Sequence, residues 1–351
     1  MDISKFDYHL PKNLIAQKPL KKRDHSKLLV IDRKTKLITS KHFYDLVELL
    51  NFNDVLVLNK TKVFPARIFG KKETGGKVEI LLVKKINDNT WDVMVKPGIN
   101  IGTKISFGLF SGIKISDNHE TSRVQFSINN INLFEKLGTI GHTPIPPYIH
   151  STESEKNLRD EYQTVYAKTQ GSIAAPTAGF HFTKDLLNRL NMKGVQIEYV
   201  TLHVGLGTFT PIKESDISKH KIHSEYFELD RKTTDKLNNA KKKGKRIIAV
   251  GTTTTRVLET CTSSKGILID KKGETNIFIY PPYKFKFIDT LITNFHLPDT
   301  TLLALVSAFV SYPNTKKIFT NFNSSLIGKA YKKAIKENYR FYSFGDSSII
   351  L

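Results

Sequence analysis

Between about residues 66 and 130 the chain holds five short strand-like runs and no helical period. On either side of that stretch, apolar strands alternate with amphipathic helices. The strand-only runs are KVEILLV (77–83), TWDVMVK (90–96), TKISF (103–107), GIKIS (112–116) and SRVQFSI (122–128). Between them lie the turn clusters Asn87-Asp88-Asn89, Pro97-Gly98, Ser111-Gly112 and Asp117-Asn118. Strands this short and this closely spaced predict a small antiparallel barrel or sandwich. The three prolines of GHTPIPPYI (141–149) make an extended, stiff connector at its end.

Outside that block the pattern is α/β. LLVID (28–32) and DVLVLN (54–59) read as apolar strands, the second buried on both faces. KHFYDLVELL (41–50) has Phe43, Leu46, Val47 and Leu50 at helical spacing. After residue 160, TKDLLNRLNMKG (183–194) is a helix with Thr183 as N-cap and Gly194 at its end. VQIEYVTLHV (195–204), RIIAVG (246–251) and FIDTLITNF (287–295) are strands. TTDKLNNAKKKGK (233–245), TTTTRVLETC (252–261) and DTTLLALVSAFV (299–310) are helices, the last capped by Asp299 or Thr300. The fold class is therefore α/β: a layered domain with a mixed sheet covered on both faces, plus an inserted all-β antiparallel barrel. Residues 1–62 and 150–351 form the discontinuous α/β domain, and residues 63–149 form the insertion.

At 351 residues, with 39% hydrophobic and 25% charged side chains, the chain is long enough for two sizeable cores. One cysteine, Cys261, excludes an internal disulfide and reads as a buried structural thiol. The longest apolar run, LLALVSAFV (302–310), is about half of the ~20 residues that cross a bilayer. The N-terminus lacks an apolar signal region. The expectation is a cytoplasmic monomer without membrane contact. Net charge is +21 and the isoelectric point about 9.7, a balance that favours an acidic partner such as nucleic acid. Part of the excess is compositional, because lysine far outnumbers arginine, and asparagine and isoleucine are abundant, as in an AT-rich genome.

Two runs break the core-filling periods: SIAAPTAGFHFT (172–183) and TLHVGLGTF (201–209). Small residues let backbone approach a ligand, and Thr and His supply hydrogen bonds, so the two read as walls of one pocket. VGTTTTR (250–256) places a helix start after an apolar strand, where free N–H groups and hydroxyls suit an anion or carboxylate. It lacks the lysine and spacing of a P-loop, and a simple threonine N-cap is the alternative. In LITNFHLPDTT (291–301), Asn294 and His296 fall at the C-terminal end of a strand, where open α/β sheets bind ligands. His181 and His203 are also placed at strand–loop edges. HKIHSE (220–225) groups His220, His223 and Glu225 without a zinc-site spacing, so hydrogen-bonding or acid–base roles are favoured over metal. Near the end, YKKAIKENYRFYSFGDSS (331–348) interleaves aromatic and basic residues. Such a run stacks on unpaired RNA or, alternatively, forms an amphipathic helix and a strand.

Taken in order, GSIAAPTAGFHFT, TLHVGLGTF, HKIHSE, GTTTTRVLE, LITNFHLPDTTLLALVSAF and YRFYSFGD resemble the S-adenosylmethionine:tRNA ribosyltransferase-isomerases of queuosine biosynthesis. LVLNKTKVFPARIFG (56–70), GHTPIPPYI and YQTVYA (162–167) extend the resemblance over essentially the whole chain. Departures are small: Lys27 in place of the commoner Arg, Leu206 of Ala, Pro282 of Gly, and Ser347-Ser348 of an Ala-Met pair. The resemblance implies an α/β fold with an inserted β-barrel. It also implies transfer and isomerisation of the ribosyl part of S-adenosylmethionine onto 7-aminomethyl-7-deazaguanine at the tRNA wobble position. Epoxyqueuosine-tRNA is then the product, and adenine and methionine leave.

That chemistry needs a base for the carbon beside the sulfonium, a donor to departing adenine and a held amine. Proton transfers are assigned among His181, His203 and His296, whose ordinary pKa lies near working pH. Pro176, Thr177, Ala178, Gly179, Gly205, Gly207, Thr208, Gly251, Thr252, Thr253, Asn294 and Phe295 are expected to bind S-adenosylmethionine, the ribosyl-donating co-substrate. Lys60, Lys62, Arg67, Tyr339 and Arg340 are expected to meet the anticodon stem-loop. No metal is expected. The alternatives are a non-catalytic tRNA-binding module, and a tRNA methyltransferase using the same donor. The Gly-rich strand–loop turn of the Rossmann methyltransferases is absent from the sequence.

Overall fold

The computed structural model describes residues 1–118, 120–149, 151–205, 212 and 214–351. Its centre is a nine-stranded mixed sheet. Strands Gln196–Leu202, Asp54–Asn59, Arg246–Val250 and Thr290–Asn294 run parallel as neighbours in that order. Their Val, Ile and Leu content follows from burial on both faces. Alternate residues divide between two cores: Val55, Val57, Ile247 and Ala249 on one side, Leu56, Leu58, Ile248 and Val250 on the other. Antiparallel strands Ser347–Ile350, Glu225–Leu229 and Lys271–Thr275 extend the sheet outward. Lys27–Ile31 and Ile38–His42 complete one edge.

Helices Lys184–Met192, Arg231–Lys242, Gly251–Cys261, Thr301–Phe309 and Leu326–Lys336 match the expected periods. Thr183, Asp230, Thr300 and Ser325 cap four of them by accepting from backbone N–H groups. The helix expected over 41–50 contracts. Residues up to His42 pair as a strand with Lys27–Ile31, leaving the short turns Phe43–Asp45 and Leu46–Leu49. Cross-strand hydrogen bonds displace the first turn of that period.

The strand-only block is a closed antiparallel barrel of six strands. Five of them coincide with the strand-like runs of the sequence, and Arg67–Lys72 is the sixth. Its inner positions, Ile68 and Gly70, are buried, and a Cβ at Gly70 would sit 2.6 Å from Ile105 Cγ2. Helix Asn130–Ile140 plugs the barrel core with Leu133 and Leu137. No helix among the described residues is long and apolar enough to cross a membrane.

Candidate active site

The parallel strands Asp54–Asn59, Arg246–Val250 and Thr290–Asn294 end on one edge of the sheet, and a cleft opens there. Ala175, Pro176, Thr177 and Ala178 form one wall; Gly251, Thr252 and Thr253 form another. Thr293, Asn294 and His296 form a third, closed by Val204, Leu302, Tyr342 and Ser343. Eight expected site residues therefore meet in one place: Pro176, Thr177, Ala178, Gly251, Thr252, Thr253, Asn294 and His296.

The helix that begins at Gly251 follows its strand without a linker, because Gly251 takes φ +85°. Its N-cap, Val250, offers no side-chain acceptor. The first-turn N–H groups thus lack the usual capping oxygen, and the Thr253 hydroxyl is buried without a protein partner. Such a helix start accepts a carboxylate or another anion.

Asn294 is the hub of the opposite wall. Its side-chain nitrogen donates to the carbonyls of Tyr342 at 3.2 Å and Asp346 at 3.4 Å, which fixes the amide orientation. The same nitrogen faces His181 Nε2 at 3.3 Å, and the amide oxygen accepts from the Thr177 hydroxyl at 3.1 Å. His181 Nε2 is consequently the acceptor, and Nδ1 carries the proton given to Ser26 Oγ at 2.7 Å. The carbonyl partner Tyr342 holds φ +74°, a left-handed conformation that is costly for a bulky residue. Asp346 ties the same loop down by accepting from the N–H groups of Arg340 and Lys27 at 2.8 and 3.0 Å.

Among the three histidines, His296 lines the cleft. Its Nε2 meets the Thr293 hydroxyl at 2.9 Å, its N–H donates to Tyr331, and Tyr8 donates to its carbonyl. Burial pushes His296 down to about 3. His181 is also pushed down to about 3, by burial first and then by the charges of Arg340 and Arg23. It lies behind Asn294, between the turn Thr177–Gly179 and helix Lys184–Met192, and not at the strand edge expected from sequence. The intervening Phe180 and Phe182 are core residues, so the local chain turns inward. His203 does follow a strand. It bonds the Thr61 hydroxyl at 2.8 Å, stacks on Tyr226 and is lowered by burial, but it stands outside the cleft.

Packing and ion pairs set the positions of the other expected residues. Phe295 is fully buried, with its ring packed against Tyr331, Tyr339 and Phe341 in the core. Tyr339 is 1% exposed and leaves no face for a base to stack on. Gly179 serves packing: a Cβ there would meet the Tyr166 hydroxyl at 2.0 Å. Gly205 donates to Glu225 at 2.9 Å beside the cleft, while Gly207 and Thr208 lie outside the described residues. Lys60 and Arg340 are half-buried, near Asp230 and Asp346 respectively. Arg67 pairs with Glu79 at 3.1 Å, and Lys62 is exposed. His220, His223 and Glu225 diverge toward Glu214, Glu120 and Arg256 respectively. Cys261 is buried, with its thiol pushed up to about 12. Sequence reasoning missed Ser26, Arg23, Leu302, Tyr342 and Ser343 as neighbours of the site. Only the YRFYSFGD run signalled the last two.

A small-residue cleft at the switch edge of a mixed sheet, beside an inserted barrel, defines an α/β ligand-binding protein with an accessory domain. A family model described as "Queuosine biosynthesis protein" matches residues 3–350. The S-adenosylmethionine:tRNA ribosyltransferase-isomerases of Staphylococcus aureus strains JH9 and Newman are each 48% identical over 356 residues, covering all of both chains. The crystal structure of an S-adenosylmethionine tRNA ribosyltransferase from Thermotoga maritima is 34% identical. It covers 99% of this chain and 100% of its own, with a TM-score of 0.54. The chain belongs to the S-adenosylmethionine:tRNA ribosyltransferase-isomerase family of queuosine biosynthesis.

Proposed function

We propose that this enzyme transfers and isomerises the ribosyl moiety of S-adenosylmethionine onto the aminomethyl group of 7-aminomethyl-7-deazaguanine at the wobble position of tRNA. The product is epoxyqueuosine-tRNA, with adenine and methionine released. The observation that carries this reading is the convergence of three chain-distant walls on the uncapped helix start at Gly251. S-adenosylmethionine supplies the ribosyl group and a sulfonium charge that acidifies the adjacent carbon.

The residues divide the work by chemistry. The free N–H groups at Thr252 and Thr253 suit the carboxylate of the methionine portion. Thr177 and Asn294 orient polar groups on the facing wall. His296 is the proton acceptor of this reading, because it is the histidine that lines the cleft and burial keeps its ring unprotonated near neutral pH. His181 acts through Asn294 as a positioning residue. Lys60, Lys62, Arg67 and Arg340 meet tRNA phosphates, so binding weakens as salt rises. The enzyme works as a monomer on the anticodon stem-loop in the cytoplasm.

The test is incubation with S-adenosylmethionine and precursor tRNA, followed by analysis of small products. Free adenine supports the reading. S-adenosylhomocysteine would indicate methyl transfer, and tRNA binding without either product would indicate a non-catalytic module.

A further inference from the structure

The barrel carries an open groove that shares no residue with the cleft, lined by Phe69, Lys71, Lys72, Lys77 and Lys104 together with the carboxylate of Glu73. Residues Arg67, Phe69 and Lys71 alternate outward along strand Arg67–Lys72, giving a basic–aromatic–basic stripe. Phe69 is 53% exposed, with one edge against the His142 ring at 5.2 Å between centroids. Lys71 is paired in register with Lys77 on one side and Ser106 on the other. Lys104 projects from the same face as Ser106, two residues along its strand. Among the described residues, none of these four lysines lies within ion-pair distance of a carboxylate.

Two lysines directly opposite each other on an antiparallel pair destabilise the sheet. An anionic partner lying across them removes that penalty, and the adjacent exposed ring offers a stacking surface. The groove strand is also tied to the active-site wall through the chain. Strand Thr61–Val63 precedes Arg67–Lys72 in the chain and pairs with Thr169–Ser172, which leads directly into Ala175 and Pro176 of the cleft.

We propose that this barrel groove docks the sugar–phosphate backbone of the tRNA, at a distance from the base being modified. The inference rests on the proposed tRNA substrate and extends it to a second contact surface. Lysines at 71, 72, 77 and 104 neutralise phosphates, and Phe69 stacks on an unpaired base or packs against a ribose.

The experiment is binding of unmodified full-length tRNA, without S-adenosylmethionine, over a salt series. It compares the wild type, K71Q/K72Q/K77Q/K104Q and F69A. The lysine variant is expected to bind at least tenfold more weakly at low salt, with a log–log salt slope shallower by about 3. It should melt no lower than the wild type, since the Lys71–Lys77 repulsion is gone. F69A is expected to lose severalfold affinity with the slope unchanged, because stacking releases no counterions. An unchanged affinity and slope in the lysine variant would overturn the proposal, as would a loss of affinity without any change in slope. Binding requires no turnover, so an enzyme that released no adenine would defeat the proposed reaction and leave this measurement readable.

Discussion

The Thr177 hydroxyl donates to the side-chain oxygen of Asn294 at 3.1 Å, joining two cleft walls that lie 117 residues apart in the chain. Asn294 is held from behind by the carbonyls of Tyr342 and Asp346 and by His181. The threonine is half-buried and faces the cleft, whereas the asparagine is 3% exposed. Stability and function therefore separate along this bond. Asn294→Ala strands two buried carbonyls and is expected to cost about 1–3 kcal/mol in urea unfolding. Thr177→Val should cost less than that in stability and act mainly on KM for S-adenosylmethionine. A double-mutant cycle in kcat/KM should show coupling of at least about 0.5 kcal/mol. Strict additivity would mean that the bond does not serve the reaction.

Acid should destabilise the fold in a defined window. His181 and His296 are neutral when folded, lowered by burial from an ordinary 6.5 to about 3, with Arg340 and Arg23 adding to the shift at His181. The unfolded chain binds more protons between those values. Their contribution is therefore complete above about pH 6.5 and is lost as pH falls toward 3. The slope is about 1.4 kcal/mol per pH unit for each histidine. Urea midpoints measured between pH 7 and 4 should fall less steeply in His181→Asn than in the wild type. Parallel curves would show that His181 does not stay neutral in the folded protein.

Arg256 and Glu225 form a buried ion pair, and Glu225 also accepts from the Gly205 N–H beside the cleft. Arg256→Ala leaves a carboxylate buried without its counter-charge and should cost about 3–5 kcal/mol. The double variant Arg256→Met with Glu225→Gln removes both charges and should recover a good part of that loss. Chemical denaturation of the three proteins measures it, and a double variant as unstable as the single would rule out the charge argument.

Cys261 is 3% exposed, and burial pushes its thiol up to about 12. It should react with a thiol reagent at neutral pH only after denaturant is added, and Cys261→Ala should keep full activity. Rapid labelling of the native protein would contradict the placement.

The elements legible in the sequence were those with one dominant signal. Asp54–Asn59 and Arg246–Val250 are continuous apolar strands, and the threonine-capped helices carry their own start marks. Strands Lys271–Thr275 and Arg67–Lys72 carry little signal in the sequence because KKGET and RIFGKK are short, basic and glycine-bearing. Partner strands decide their pairing, and propensity does not. At the site, the histidines were visible as residue types but not in depth. Whether an imidazole lines the cleft, as His296 does, or stands behind an amide, as His181 does, depends on packing from distant chain. The ring burial of Phe295 and Tyr339 is hidden in the sequence for the same reason: a motif places a residue near a site without saying which way its ring turns.

Single-turnover adenine release from S-adenosylmethionine on precursor tRNA measures whether His296 takes the proton in a reaction that releases adenine. The wild type is compared with His181→Ala, His203→Ala and His296→Ala. A loss of about 10²-fold or more is expected for His296→Ala, with smaller losses for His181→Ala and His203→Ala. Near-normal release by His296→Ala, or no adenine from the wild type, would contradict it.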